Sequence, residues 1–269
     1  MKNIKFVFSF FLLFLISCNR EFVQIEQPDN QVVSRKATDI LLGYYNFIQQ
    51  QHKNVISVQS YTTLPAQNTS ERLALAQAVF KNDNGIATKS FEEVKIDNLS
   101  LPFQNDGDTF VSEDYSQIKS FYGKQTQFSM KNSSNQILST NIYIPMEIKL
   151  TSGFSPNNAV ILKNGQTITW NSDSQNTKGV VIVIEYDPDL NTNQNIVSNY
   201  PNYISKVIGL EDNGSYTFKE QDLSSFPVGA SVRFTIGRAG FSLFQPANSQ
   251  ETYSLCGYSI LQGKGIVSN

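Results

Sequence analysis

Hydrophobic and polar residues alternate with a period of two along much of the chain, as expected of β-strands that bury one face. The alternation is clear at residues 73–80. It recurs at 231–236, and in this second segment Val, Phe and Ile occupy every second position. A continuous β-branched run at 180–184 is expected of a strand buried on both faces. These patterns predict an all-β fold of two β-sandwich-like domains.

Three Asn-Gly pairs stand between apolar runs, at residues 84–85, 164–165 and 213–214. Asn-Gly supplies the positive φ angles that a type I′ hairpin turn requires. This repeated turn signal between strand-like runs is the strongest sequence evidence for the fold.

One segment, residues 38–53, shows helical spacing instead. Ile40, Tyr44, Phe47 and Ile48 recur at intervals of three and four, which gives one apolar stripe on a helix. Gly43 weakens the helix prediction, and a strand is the alternative.

The N-terminus has Lys2 and Lys5 ahead of a mostly apolar run at 6–16. This order is typical of a secretory signal peptide, and the run is too short to cross a bilayer as a helix. It ends in Leu-Ile-Ser-Cys at residues 15–18, which resembles the lipobox of bacterial lipoproteins. The resemblance implies that residues 1–17 are removed and that Cys18 becomes lipidated. The alternatives are an ordinary secretory signal in which Cys18 is incidental, or a buried apolar helix.

A lipidated Cys18 would make a membrane the first partner of this protein, because each buried acyl CH₂ contributes ~0.8 kcal/mol. Asn19 differs from the Asp that retains many lipoproteins in the inner membrane. We therefore expect the protein to be anchored in the bacterial outer membrane. Both the periplasmic face and the cell surface remain alternatives for its folded part. Residues 18–36 are polar and aperiodic, and we interpret them as a tether.

The remaining chain divides at a polar, turn-rich stretch near residues 131–136. We predict an N-terminal β-rich domain at 37–136, with one helix, and a C-terminal β-sandwich at 137–269. A single continuous fold is the alternative, because no long Pro/Gly linker separates the halves.

The C-terminal half resembles a fibronectin type III or immunoglobulin-like domain. The resemblance rests on a Trp-bearing strand at 167–170, a second strand at 179–186, and a Leu-Pro-Gly corner at 223–229 before the alternating strand. Val232 stands where the family usually has Tyr, so the tyrosine-corner hydrogen bond is absent or replaced. Domains of this family mostly bind ligands, act as spacers or display binding surfaces. The fold alone does not give the function.

Composition excludes several classes of function. The chain has 21 Lys and Arg against 23 Asp and Glu, which gives little basis for binding nucleic acid. Two Cys cannot form a disulfide framework, and His52 is the single His. No phosphate-binding Gly loop or Gly-x-Ser-x-Gly elbow is present.

One loop could bind calcium. Asp187, Asp189, Asn191 and Asn193 place an oxygen at every second residue, and hard cations take several oxygen ligands. Thr192 and Ser198 replace the turn Gly and the bidentate Glu of an EF-hand loop, so binding would be weak. The alternative is a solvated, turn-rich loop.

Four aromatic residues are candidates for ligand binding. Tyr200 and Tyr203 flank a Pro-Asn pair, and Phe241 and Phe244 follow a Gly. Flat aromatic faces stack on sugar rings or dock peptides, and the two groups could form one patch. The alternative is that these rings cap the core.

These observations together predict a non-catalytic binding or structural module on the cell envelope, with a glycan or a protein as ligand. The alternative is a secreted hydrolase that uses paired carboxylates, which have no fixed spacing in sequence. Cys256 lies in a strand-like segment, and we interpret it as a small buried residue.

Overall fold

The computed structural model describes residues 54–64, 72–106, 108–155, 159–247 and 249–269. Its strands are β1 Asn54–Thr63, β2 Arg72–Phe80, β3 Glu93–Ile96, β4 Leu99–Ser100, β5 Phe103–Gln104, β6 Thr109–Ser112, β7 Lys124–Lys131, β8 Ile137–Ile144, β9 Leu150–Ser152, β10 Val160–Leu162, β11 Thr167–Trp170, β12 Val180–Tyr186, β13 Ile204–Leu210, β14 Ser215–Thr217, β15 Ser231–Phe244 and β16 Tyr253–Val267. Three short helices join them, α1 Tyr115–Ile118, α2 Gln194–Asn199 and α3 Glu220–Leu223, with 3₁₀ turns at Lys119–Phe121 and Pro188–Leu190. The all-β sandwich prediction is confirmed.

The largest sheet has nine strands in the order β13-β12-β15-β16-β1-β2-β6-β5, and β10 pairs with the end of β16. β1 lies between β16 and β2 and runs parallel to β16. The other sheets are β14-β11-β9 and β4-β3-β7-β8. Both pack on the same side of the large sheet, which we call its inner face.

The long β15–β16 hairpin contributes to two separate cores on the inner face. The first lies under the four-stranded sheet and includes Leu255, and the second lies under the three-stranded sheet and includes Leu261. Because strand neighbours alternate, Cys256 and Tyr258 point to the opposite side, which we call the outer face. Cys256 is 2% exposed, as predicted, and burial raises the pKa of its thiol to about 12.

The polar stretch at 131–136 forms the tight turn between β7 and β8, which pair along their whole length. Asn135 adopts a positive φ of 63° there. The hairpin ladder therefore runs across the predicted domain boundary, and the hairpin of β15 and β16 serves both cores. The division at residues 136 and 137 stays a prediction.

The Asn-Gly turns form, but not as type I′ hairpin turns. Gly85, Gly165 and Gly214 have positive φ, whereas Asn84, Asn164 and Asn213 do not. β10 and β11, which flank Gly165, belong to different sheets, and so do β13 and β14 around Gly214. At each of these two turns, the strand before it and the strand after it bury their apolar side chains in the same core between the sheets. This burial overrides the strand pairing that the turn signal predicts.

The predicted helix at 38–53 and the lipobox lie outside the described residues. Among the residues that are described, none of the helices is long and apolar enough to cross a bilayer.

Candidate functional site

Tyr200 and Tyr203 lie where α2 leads into β13, and they are 43% and 39% exposed. The Tyr203 hydroxyl donates to Glu185 on β12. Burial and the Glu185 carboxylate raise the pKa of Tyr203. Tyr186 donates to the Tyr200 carbonyl at 2.9 Å. The two tyrosines are thus placed at one end of the sheet, and their binding role stays a prediction.

Phe241 and Phe244 lie three residues apart on β15, which puts them on opposite faces of the sheet. Phe244 packs against the first core, whereas Phe241 belongs to the outer face. The part of β15 nearest Tyr203 is Arg233, which is eight residues, or about 26 Å, from Phe241. The structure therefore does not join the four aromatic residues into one patch.

The oxygens of the proposed calcium loop hold the loop together. Asp187 Oδ1 accepts from the Asp189 N–H at 3.0 Å, and Asn193 Oδ1 accepts from the N–H of Asn195 at 3.1 Å. Asn191 exchanges two hydrogen bonds with the backbone of Ser231 on β15, at 2.8 and 3.0 Å. Nowhere in the described part of the chain do three His, Cys, Asp or Glu residues gather as a metal site. Calcium binding here stays a prediction.

Sequence reasoning missed a buried ionic cluster around Arg238 on β15. The guanidinium Nη1 lies 3.1 Å from Asp212 Oδ2 and 3.8 Å from Asp173 Oδ2, and all three side chains are buried. Nη2 donates to the Asn171 carbonyl, whereas Nε and Nη1 have no well-aligned hydrogen-bond acceptor among the described residues. Burial lowers the pKa of Arg238, and the two carboxylates oppose that shift.

The two carboxylates of this Arg238 cluster are also held by neutral donors. Asp173 accepts from the Tyr143 hydroxyl at 2.8 Å and from the Met146 N–H at 2.8 Å. Asp212 accepts from the Trp170 indole N–H and from the Asn176 amide, both at 2.9 Å. The structure thus brings two carboxylates together, but it encloses them around an arginine and not in an open cleft.

A signal for the Arg238 cluster is present in the sequence. Arg238 continues the two-residue period of Val232, Phe234 and Ile236, so alternation places this charge on the buried face. A charge on that face requires buried partners. The sequence does not indicate which carboxylates these are, because they lie in two distant loops.

A small cleft of about 230 Å³ lies on the inner face beside Glu147 and Arg72. Glu147 accepts from the Ser60 hydroxyl at 2.6 Å and from the Tyr115 hydroxyl at 2.9 Å. Both carboxylate oxygens are therefore engaged, which is typical of a structural role.

A cavity of about 630 Å³ lies at one end of the molecule, and we call it the loop-end cup. Three connections form its walls: the segment after β2, the turn between β7 and β8, and the turn between β15 and β16. Its lining residues are Asn54, Lys81, Asn82, Asp83, Thr88, Ser90, Phe91, Asn132, Gln136, Leu138, Pro246, Ala247, Ser249, Glu251 and Tyr253.

Two asparagines shape the walls of the loop-end cup in the same way. Asn82 Oδ1 accepts from the N–H groups of residues 84 and 86, each at 3.0 Å. Asn132 Oδ1 accepts from the N–H groups of residues 134 and 136, at 3.0 and 2.9 Å. Such side-chain turns fix short loops without sheet pairing. Asn54 ties the third wall by donating to Glu251 at 2.9 Å.

The floor of the loop-end cup is made of closely packed aromatic rings. Phe91 and Tyr253 line it, are buried, and have ring centroids 6.0 Å apart. Phe80 packs edge-on beneath both, 4.7 Å from Phe91 and 6.3 Å from Tyr253. Eleven of the fifteen lining residues, Tyr253 among them, carry amide, hydroxyl or charged side chains, so the cup offers hydrogen bonds above an aromatic base.

Neither the candidate aromatics nor the calcium loop belongs to the loop-end cup. Its residues come from three loops that are distant in sequence, and short-range patterns do not connect them. No protein-family model matches the chain, and no curated protein shows significant similarity to it.

Proposed function

We propose that this protein is a non-catalytic binding module of the bacterial envelope whose loop-end cup takes a hydrophilic, carbohydrate-like ligand. The observation that carries the proposal is the pairing of amide and hydroxyl groups with an aromatic floor in a cavity of about 630 Å³. This volume lies within the range of about 300–1,000 Å³ that is usual for ligand pockets.

The composition of the loop-end cup supports a sugar over an apolar molecule. Ligand pockets are predominantly hydrophobic, whereas this one is mostly polar and open. Sugars present dense hydroxyl groups that both donate and accept, and these match the amide and hydroxyl side chains that line the cup. Amide and hydroxyl side chains outnumber charged ones in the lining, which suits a neutral ligand better than a charged one.

Binding by the full chain in detergent, screened on a glycan array and measured by calorimetry, tests this function. Ser90→Trp places a large ring in the loop-end cup at an exposed position, and it should weaken binding at least about tenfold. Ser120→Trp adds the same ring at an exposed position that does not line the cup, and it should leave affinity unchanged. No glycan binding, or equal loss in both variants, would refute the proposal.

The envelope location rests on the lipobox at 15–18. We propose that Cys18 carries the acyl chains and that the tether at 18–36 holds the folded part off the outer membrane. Labelling cells with radioactive palmitate should mark the protein, and Cys18→Ser should abolish both the label and membrane association.

A further inference from the structure

The outer face of the large sheet carries a third apolar cluster, opposite the two cores. Val181, Ala239, Cys256 and Tyr258 form its buried centre. It extends along the strands from Val55 on β1 to Val207 on β13. Of these residues, Tyr258 is only 5% exposed.

None of the described helices or strands packs across this face, since the two smaller sheets both lie on the inner side. On an uncovered sheet, a tyrosine ring would present one side to water. Leu73 and Leu243 show this behaviour on the same face, where both are 54% exposed. The burial is therefore local, and it marks the footprint of a cover of limited size.

The buried polar groups of the footprint also indicate that a cover lies on this part of the outer face. The Ser254 hydroxyl is completely buried and, in the described part of the chain, has no hydrogen-bond partner. Ser57 and Gln59 are also buried on this face and bond to each other at 2.9 Å. Polar side chains on a bare sheet would be hydrated instead.

The chain itself supplies a segment of matching length and position. Residues 38–53 run directly into Asn54, which begins β1 next to Val55 at one end of the cluster. Sixteen residues of helix extend about 24 Å. The cluster covers eight residues along the strands, from the level of Val55 to that of Val207, or about 26 Å.

We propose that residues 38–53 dock on the outer face as an amphipathic helix and bury the cluster around Cys256 and Tyr258 beneath the stripe of Ile40, Tyr44, Phe47 and Ile48. The C-terminal end of this helix is fixed beside Asn54, which also lines the loop-end cup. Its N-terminal end then lies toward Val207. The tether at 18–36 leaves the molecule at the end remote from the cup, so the cup faces away from the membrane.

The labelling rate of the Cys256 thiol tests this docking. The full chain in detergent is treated with a maleimide, and mass spectrometry of the peptide that contains Cys256 gives the rate. Phe47→Glu places a charge in the apolar stripe and should speed labelling at least about tenfold, because the thiol reacts only when its cover opens. Gln49→Glu, on the opposite side of the helix, should change the rate less than about twofold.

Equal labelling rates in Phe47→Glu and the unmodified chain would overturn the proposal. Circular dichroism checks that the variant keeps its strand signal. Hydrogen exchange on the unmodified chain gives a second test that needs no variant: the amides of 38–53 should be protected, and exchange at the rate of an unfolded peptide would overturn the proposal. A dimer whose dilution exposes Cys256, with no effect of Phe47→Glu, would show that a second copy covers the face and would also overturn it.

Discussion

The Arg238 cluster and the loop-end cup are both polar, but they use their polar groups in opposite ways. In the cluster, Asp173 and Asp212 accept several hydrogen bonds each and surround a buried guanidinium. In the cup, Asn82 and Asn132 use one amide oxygen to shape a loop. The cluster is closed to solvent, whereas the cup is open to it.

This difference separates groups that maintain the fold from groups that can bind a ligand. A buried charge is stable only when its partners are complete, so the cluster has little capacity for anything else. The cup contains many donors and acceptors on loops that are fixed by only a few bonds. Substitution should therefore affect stability in the cluster and affinity in the cup.

The largest effect is expected for Arg238→Met. It leaves Asp173 and Asp212 buried without their counter-charge, and breaking a buried ion pair from one side costs about 3–5 kcal/mol. Urea denaturation of the variant and of the unmodified chain measures this loss in the free energy of unfolding.

The control is the triple variant Arg238→Met, Asp173→Asn, Asp212→Asn, which removes all three charges. It should recover most of the lost stability, because buried ion pairs are often replaced by neutral groups at little cost. A loss below about 1 kcal/mol for Arg238→Met alone would mean that the cluster is not a closed ionic unit.

A smaller effect is expected for Asn132→Ala in the wall of the loop-end cup. It removes two acceptor contacts, to the N–H groups of residues 134 and 136, and should lower stability by about 1 kcal/mol. Because the wall loosens, ligand affinity should fall more than stability does. Ser133→Ala, an exposed neighbour, should change neither, and thermal melting with calorimetry measures both.

The local strands could be predicted from the sequence because alternation reports burial directly. The run at 180–184 is buried on both faces, with Ile182 in the second core and Val181 on the outer face, as its composition predicts. The burial of Cys256 follows from the same reasoning.

The pairing of distant strands could not be predicted. β1 and β16 pair in parallel although about 200 residues separate them, and no local signal specifies that register. The Asn-Gly pairs predicted local hairpins, but after β10 and again after β13 the chain passes to the three-stranded sheet, because the apolar side chains on both sides of each turn share the core between the two sheets. The loop-end cup is a product of this long-range pairing, so its residues could not be assembled from the sequence.

The smallest effect is expected for the pH response of Asp114, an exposed carboxylate that contrasts with those in the Arg238 cluster. Hydrogen bonds from Ser116 and Gln117 lower the pKa of Asp114 below its ordinary value of about 3.8. A carboxyl group with a lowered pKa in the folded state stabilises the fold above its unfolded pKa, and this contribution is lost as the pH falls through the folded value.

Asp114→Asn isolates this titration, since Asn also caps helices but does not ionise. The difference in unfolding free energy between the unmodified chain and the variant should be constant from pH 7 to pH 5 and should shrink only below about pH 4. Urea denaturation across this range measures it. Asp106→Asn removes a charge from another exposed site in the same half of the molecule and serves as the control. A difference that stays constant down to pH 2 would show that the cap acts through geometry alone and that its charge adds nothing to stability.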